Sequence, residues 1–335
     1  GRAPITARWA RTDPTARWAR TDPHPPEEPS PMLNRRIVMA GAAALGLVAA
    51  AAPAMAQDWK ARYPELVFSV APAENASGVM DRWTPFARYL ERELGTKVTI
   101  RVAQDYAAVI EGQRAGQIHI GYHGPASYAR ARMTGVQIEP FAMDVNGDGS
   151  KGYYSVFYVK ADSPFQKLED LRGRRLGLVD PNSASGNNVP RYALDKMGIK
   201  PQEFFSNVVY TGSHENAIIA LGQGTIDVAA NWLNTDEDSN LTRMATKNMA
   251  KVADFRIIFR SDLIVNSPYT VLSNMPQDLK DRIRNAWLQA HVKDKDAFDR
   301  LSDGKNRPFE TVTHEAYLPI IEVNQFVDRL RRQGS

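Results

Sequence analysis

The chain reads as an α/β protein built on mostly parallel sheets. Three observations predict this. From Gln57 onward, short β-branched and aromatic runs alternate with stretches whose apolar residues recur at three- and four-residue spacing. Five of the loops that follow such runs are polar, rich in small or aromatic residues, and lead into a helix. Finally, 335 residues of which 43% are hydrophobic suffice for one or two large cores.

The elements follow in order. Residues 1–31 contain a near-tandem repeat, "TARWARTDP" at 6–14 and 15–23, and then a proline-rich segment. Two copies of nine residues cannot stack into a repeat fold, so a disordered extension upstream of a start at Met32 is expected. Met32 opens an export signal: basic "MLNRR", apolar "IVMAGAAALGLVAAAA", and the small-x-small site "AMA" at 54–56. Cleavage after Ala56 is expected, and Arg35-Arg36 leaves the twin-arginine route open. The apolar run falls short of the roughly 20 residues a membrane span needs. Of 42 basic and 38 acidic residues, seven and four lie in 1–56, leaving 35 against 34. That near-neutral remainder offers no electrostatic case for nucleic acid. The absence of cysteine excludes disulfides, a thiolate metal site, a cysteine nucleophile and a lipidated cysteine.

Strands are expected at 66–71, 97–103, 118–123, 153–160, 174–180, 207–212, 226–232, 255–261 and 269–274. Helices are expected at 79–95, with Gly95 as C-cap, and at 276–292 and 313–333. Open parallel sheets bind ligands beyond the carboxyl ends of their strands. The loops there are 71–78, 103–106, 122–128, 180–188 and 211–216.

In "DPNSASGNN" two hydroxyls, Ser183 and Ser185, a glycine, Gly186, and two amides follow one another at a helix start. A lone serine there is a cap. With side-chain donors joining the free amides and the macrodipole, the position becomes an anion site. It is neither a nucleotide P-loop nor a hydrolase elbow. "GSHENAI" repeats the grammar, with Ser213 as cap and His214 as a candidate donor to a bound oxyanion. "YHGPASYARA" brings Tyr122 to a strand–helix junction. His119 and His123 stand four apart, but without a third ligand nearby they fall short of a catalytic zinc set. "DVNGDGSKGYYS" begins like a calcium loop, yet the closing acid falls on Ser155, so a β-hairpin turn is expected.

The order "AENASGVMDRW", "DYAAVIEG", "GYHGPASYARA", "GSKGYYSVFYVKADSP", "LEDLRGRRLGLVDPNSASG", "GSHENAIIALGQGTIDVAANW" resembles the periplasmic phosphonate-binding proteins of ABC transporters, over nearly all of 65–330. The resemblance implies a type II periplasmic binding protein fold: two α/β lobes, 57–159 plus 263–335 and 160–262, joined by two crossover strands with a hinge near "YVKADSP" and "FRSDLI". It places the oxyanion at Ser183-Ala184-Ser185, where the family has Ser-Thr-Ser and this chain has one hydroxyl fewer. It implies amides from Ser185 and Gly186, an imidazole N–H from His214, and ligand-facing tyrosines at Tyr106 and Tyr153, while Tyr122 stays a ligand-binding candidate from its own junction. Carboxylates for a ligand's amino group are sought at Asp236 or Glu237 and at Asp262.

The implied function is an exported, monomeric, cofactor-free receptor. It captures an alkyl- or aminoalkylphosphonate, phosphite or phosphate in the periplasm and delivers it to an inner-membrane permease. Two rivals share parts of this reading. An exported phosphate-ester hydrolase needs an activated nucleophile or a metal cluster, and the motifs offer neither. The sensing module of a two-component system has the same cleft.

Overall fold

The computed structural model describes residues 59–332. The expected extension, export signal and cleavage site lie outside the described residues.

The strand-forming runs assemble into two mixed sheets. In chain order the strands are β1 (Glu65–Val70), β2 (Lys97–Val102), β3 (Ile120–Tyr122), β4 (Ile138–Val145), β5 (Gly152–Lys160), β6 (Arg175–Leu178) and β7 (Asn207–Tyr210). They continue as β8 (Val228–Thr235), β9 (Asp238–Ser239), β10 (Phe255–Arg260), β11 (Ile264–Val265), β12 (Pro268–Leu272) and β13 (Arg307–Glu310). The first sheet runs β13-β4-β12-β3-β1-β2. The second runs β10-β5-β8-β6-β7, with β11 on β5 and β9 on β8.

Among the described residues, parallel pairing is confined to β1 with β2 and β3, and to β6 with β7 and β8. The expectation of mostly parallel sheets is corrected accordingly. The reason lies in the crossovers: β12 enters the first sheet from the second, β5 enters the second from the first, and each runs against its neighbours.

Every expected strand is present. Four were not announced by the pattern: the two-residue β9 and β11, and β4 and β13, which contain Pro140 and Pro308. Pro140 sits where the register with β12 shifts, and a bulge is a place where a strand tolerates proline.

The segment 153–160, expected in the first lobe, pairs instead in the second sheet. The calcium-like loop is likewise not a hairpin. Its turn, with Gly149 N–H donating to the Asn146 carbonyl at 2.8 Å, carries the chain from one sheet to the other. "KADSP" is an ordinary turn, Ser163 N–H to the Lys160 carbonyl at 3.1 Å, flanked on both sides by the second sheet. The chain returns to the first sheet between Val265 and Pro268.

The helix Ala76–Leu94 shows how local chemistry orients the first layer. Asn75 caps its start by accepting from Gly78 N–H, and Gly95 ends it at φ 63°, a left-handed conformation that suits glycine. Val79, Trp83, Phe86 and Leu90 form its buried stripe, against Phe68 and Trp287 of the sheet and the C-terminal helices. Burying each large side chain is worth about 1.5–3 kcal/mol. In the second sheet β5 is buried on both faces: Phe157 and Val159 pack with Leu176 and Leu178, while Val156 and Tyr158 pack with Ile218 and Leu221.

Candidate functional site

A cavity of about 120 Å³ is lined from both sheets, and all five polar loops reach it. A water needs roughly 10–15 Å³ by this measure, so the space suits a small solute. The first loop contributes Ala73 and Glu74, the second Tyr106, the third Tyr122 and Gly124, the fourth Ser183 to Ser185, and the fifth His214.

One end is built from neutral donors. Ser183 caps a π-helical turn, Ala184–Asn188, that opens the helix Val189–Lys196. Its hydroxyl accepts from Gly186 N–H at 3.0 Å. The amides of Ala184 and Ser185 stand in the first turn, where a helix supplies no internal partner. Ser155 donates to the Ser185 carbonyl at 2.7 Å and anchors the turn to β5. The Tyr106 and Tyr153 side chains line the same cavity. Burial pushes both phenols up, so both stay protonated. Ser213 caps the helix His214–Gly222 by accepting from Asn216 N–H, which starts that helix at the cavity wall. Burial brings the His214 imidazole down to about 3 against a modest opposing bond from Asn231, so the ring is neutral.

Gly186 has a different role from the expected one. Its N–H is taken by Ser183, and it does not line the cavity. A Cβ there would lie 2.4 Å from Val179 Cβ, so the residue is glycine because the turn presses against the end of β6. Asn187 and Asn188 also turn away: they hold Arg191 and Tyr210, and Asn324, respectively.

The other end is built from charges that satisfy one another. Arg82 rises from the middle of the Ala76–Leu94 helix and donates through Nε to Glu74 at 2.7 Å. Its Nη1 reaches the carbonyls of Arg300 and Leu301 at 3.0 and 3.2 Å. Lys247 bonds Glu74 and, at 3.0 Å, Glu215. Burial works to raise the Glu74 carboxyl, but Arg82 and Lys247 overcome it and bring it to about 2. Arg243 lies 4.9 Å above the Trp232 ring and forks onto Asp238 at 2.9 and 3.1 Å. Asp144 accepts from the Tyr122 and Tyr269 hydroxyls at 2.7 and 3.1 Å, and burial raises its carboxyl despite both bonds.

The cavity thus gathers Ser183, Ala184, Ser185, His214, Tyr106, Tyr153 and Tyr122. The Tyr122 hydroxyl is committed to Asp144, so that residue offers a ring wall. Asp236 and Glu237 are exposed and line a separate depression with Lys305. Asp262 is exposed too and belongs to a third. None of the three carboxylates singled out for an amino group lines the cavity, because the turns that carry them point outward from the strand ends. His119 and His123 do not form a pair: His119 Nδ1 accepts from Val67 N–H, and His123 bonds Gln113 and Ser127.

Sequence reasoning missed Glu74, Arg82, Asp144 and Arg243. Arg82 had a signal, since it falls three residues after Val79 and one before Trp83, on the apolar stripe of its helix. A charge on that stripe needs a buried partner. Asp144 had only its place at the head of the calcium-like stretch, because the strand that carries it was hidden by Pro140.

Comparison with known proteins matches this arrangement to one family. A family model described as ABC transporter, phosphonate, periplasmic substrate-binding protein matches residues 68–317. The chain is 32% identical over 270 residues to the phosphonates-binding periplasmic protein of Escherichia coli, covering 78% of this chain and 76% of that one. It is 28% identical to the phosphate-import protein PhnD of Mycolicibacterium smegmatis, over 69% of this chain and 74% of the relative. Among solved structures, a binding protein component of an ABC phosphonate transporter from Pseudomonas aeruginosa superposes with a TM-score of 0.71 at 26% identity, over 79% of this chain and 87% of that one. With the model spanning most of the chain and both sheets, the protein belongs to the periplasmic phosphonate-binding family, the substrate-binding components of ABC transporters rather than enzymes.

Proposed function

We propose that the chain seats the oxygens of a small alkylphosphonate at Ser183–Ser185 and His214, with the substituent against Trp83, Trp232 and Tyr269, for delivery to its permease. One observation carries this reading: at that end of the cavity free amides, hydroxyls and phenols converge, and no carboxylate lines it. Hydrogen bonds to an anion in a desolvated cleft are the strong kind. An alkyl substituent is favoured over an aminoalkyl one because the lining carboxylates, Glu74 and Asp144, are already engaged. The relatives named above for phosphonates and for phosphate make both classes reasonable probes.

The two sheets are the cores of the two lobes in this proposal. The hinge lies in the two crossings, 146–151 and 266–267, rather than at "KADSP". Lobe closure follows from ligand contacts made by both sides. Export with cleavage after Ala56 and action as a monomer complete the reading. Family membership leaves the hydrolase and sensor alternatives without support.

A thermal-shift screen tests the proposal with methylphosphonate, 2-aminoethylphosphonate, phosphite, phosphate and sulfate. Ligand at about a thousandfold excess over its Kd stabilises the fold by about 4 kcal/mol. A shift with methylphosphonate that Ser185→Ala weakens is the expected result. A larger shift with the amino compound overturns the choice of substituent, and no shift with any phosphorus compound overturns the function.

A further inference from the structure

The hydrogen bonds around His214 determine where its proton sits. Asn231, on β8, holds the ring from behind. Its Nδ2 donates to the His214 carbonyl at 3.0 Å, and a carbonyl can only accept. Its Oδ1 takes the Trp232 N–H at 2.9 Å, and an amide N–H can only donate. The orientation of the Asn231 amide is therefore determined twice over. The same Oδ1 lies 3.1 Å from His214 Nδ1, so Nδ1 carries the ring proton. The neutral ring then has its lone pair on Nε2, on the cavity wall, where in the ligand-free protein it accepts a long bond, 3.4 Å, from the Ser183 hydroxyl that a ligand O–H can replace. A donor from this nitrogen, as the family resemblance implies, is unavailable while the ring is neutral.

Apart from the Asn231 bond, which burial outweighs, nothing nearby favours an imidazolium in the ligand-free protein. The ring meets Ser183 from the 180–188 loop and Asn231 from β8. The titratable groups at this end are Tyr106, from the helix Tyr106–Arg114, and Tyr153, from β5, both protonated. Glu215, next in the same helix, is held by Lys247 and by Asn75 N–H at 2.8 Å. Asp180, in the serine loop, accepts from Asn182 N–H at 2.7 Å.

We infer that His214 is an acceptor that selects the protonation state of the ligand: the site takes a phosphorus oxyanion with one proton kept on the oxygen that faces Nε2. This rests on the oxyanion placement proposed above. Asn231 is the positioning residue that sets the tautomer. A fully deprotonated phosphonate meets a lone pair at that oxygen, and binds only when one proton is taken from the buffer into the oxygen–nitrogen contact. A sulfonate has the same tetrahedral oxygens and no such proton at any working pH. Uncharged donors alone accept either anion, so His214 is what separates them.

The test uses the full chain and methylphosphonate, titrated calorimetrically at about pH 6 and about pH 9, in pairs of buffers that differ in ionisation enthalpy. A phosphoryl group loses its last proton near neutrality, at about 6 in a phosphate ester. The expected result is little proton uptake at the lower pH and about one proton per ligand at the higher. Affinity falls about tenfold per pH unit above the ligand's second ionisation. Methanesulfonate binds at least about 100-fold more weakly than methylphosphonate at the lower pH. Asn231→Asp puts a carboxylate behind the ring and favours the imidazolium, so it reduces both the uptake and the discrimination against sulfonate. Equal affinity at both pH values without proton uptake in the unaltered protein overturns the inference and leaves the function intact. Failure of methylphosphonate, phosphite and phosphate to bind at either pH overturns the function, and this inference with it.

Discussion

The two ends of the cavity hold polar atoms in opposite ways. At the serine end the protein presents Ser183, Ser185, Tyr106, Tyr153 and a neutral His214, with no formal charge of its own. At the far end it buries Glu74, Arg82 and Arg243, each already matched, with Asp238 as the partner of Arg243. The difference separates binding from assembly. Neutral donors at a helix start are left wanting an anion, whereas paired charges want nothing further and instead tie the elements together. Glu74 follows β1 of the first sheet, while Glu215 and Lys247 lie on connections between strands of the second, so the ionic group also joins the two sides of the cleft.

That contrast is open to attack at several points. The largest effect is expected from Glu74→Gln. Arg82 is only 7% exposed and loses its charged partner, and breaking a buried pair from one side costs about 3–5 kcal/mol. Chemical denaturation reads this directly, and an unchanged midpoint would show that the far end is not held by charge. Next comes acid sensitivity, where the ends differ in window. His214 and His123 are both brought down to about 3 by burial, so their contribution to stability is full above pH 6.5 and is lost as pH falls from there toward 3. Each loses about 1.4 kcal/mol per pH unit within that range. Glu74 goes from 4.5 to about 2, so its contribution is lost only below pH 4.5. Melting curves of His214→Gln are expected to be flatter with pH between about 5 and 6.5, while those of Glu74→Gln keep the wild-type slope there.

A smaller effect, on affinity, is expected from Ser185→Ala. Removing one hydroxyl that bonds a charged ligand costs about 1.5–3 kcal/mol, or about 10- to 100-fold in Kd. Glu74→Gln, corrected for stability, leaves the affinity of any folded fraction less affected, and the reverse ranking would undo the division of labour. The smallest effect belongs to Asp236→Asn and Asp262→Asn. Both side chains are exposed outside the cavity, so stability stays within about 0.5 kcal/mol and binding is unchanged.

The serine end was legible in advance and the charged end was not. Ser183, Ser185, Ser213 and His214 lie within short stretches whose meaning is local: a hydroxyl before a helix either caps it or faces a ligand. Here Ser183 and Ser213 cap, while Ser185 is left to the cavity. Glu74 and Lys247 are 173 residues apart, and no local pattern joins them. The acidic residues chosen instead, Asp236 and Asp262, stood in loops that looked equivalent. Their exposure followed from how β8 ends and β11 begins, which depends on pairing with β9 and β5. The 146–151 turn teaches the same point. Its residues dictate a turn, and the partners of β4 and β5 decide that it bridges two sheets rather than closing a hairpin.

By itself, then, the sequence determined the α/β class, nine of the thirteen described strands, the long helices and their caps, and the loops that meet at the cavity. These depend on side-chain periodicity and on bonds spanning three or four residues, energies that exist before the chain closes on itself. Only the tertiary structure decided the antiparallel crossovers, the partners of the buried charges, and the tautomer of His214, whose proton is placed by Asn231, 17 residues away on another element. Each of those choices arises where distant segments exclude water from one another, because desolvation, not local preference, makes an unmatched charge or an unpaired nitrogen costly there.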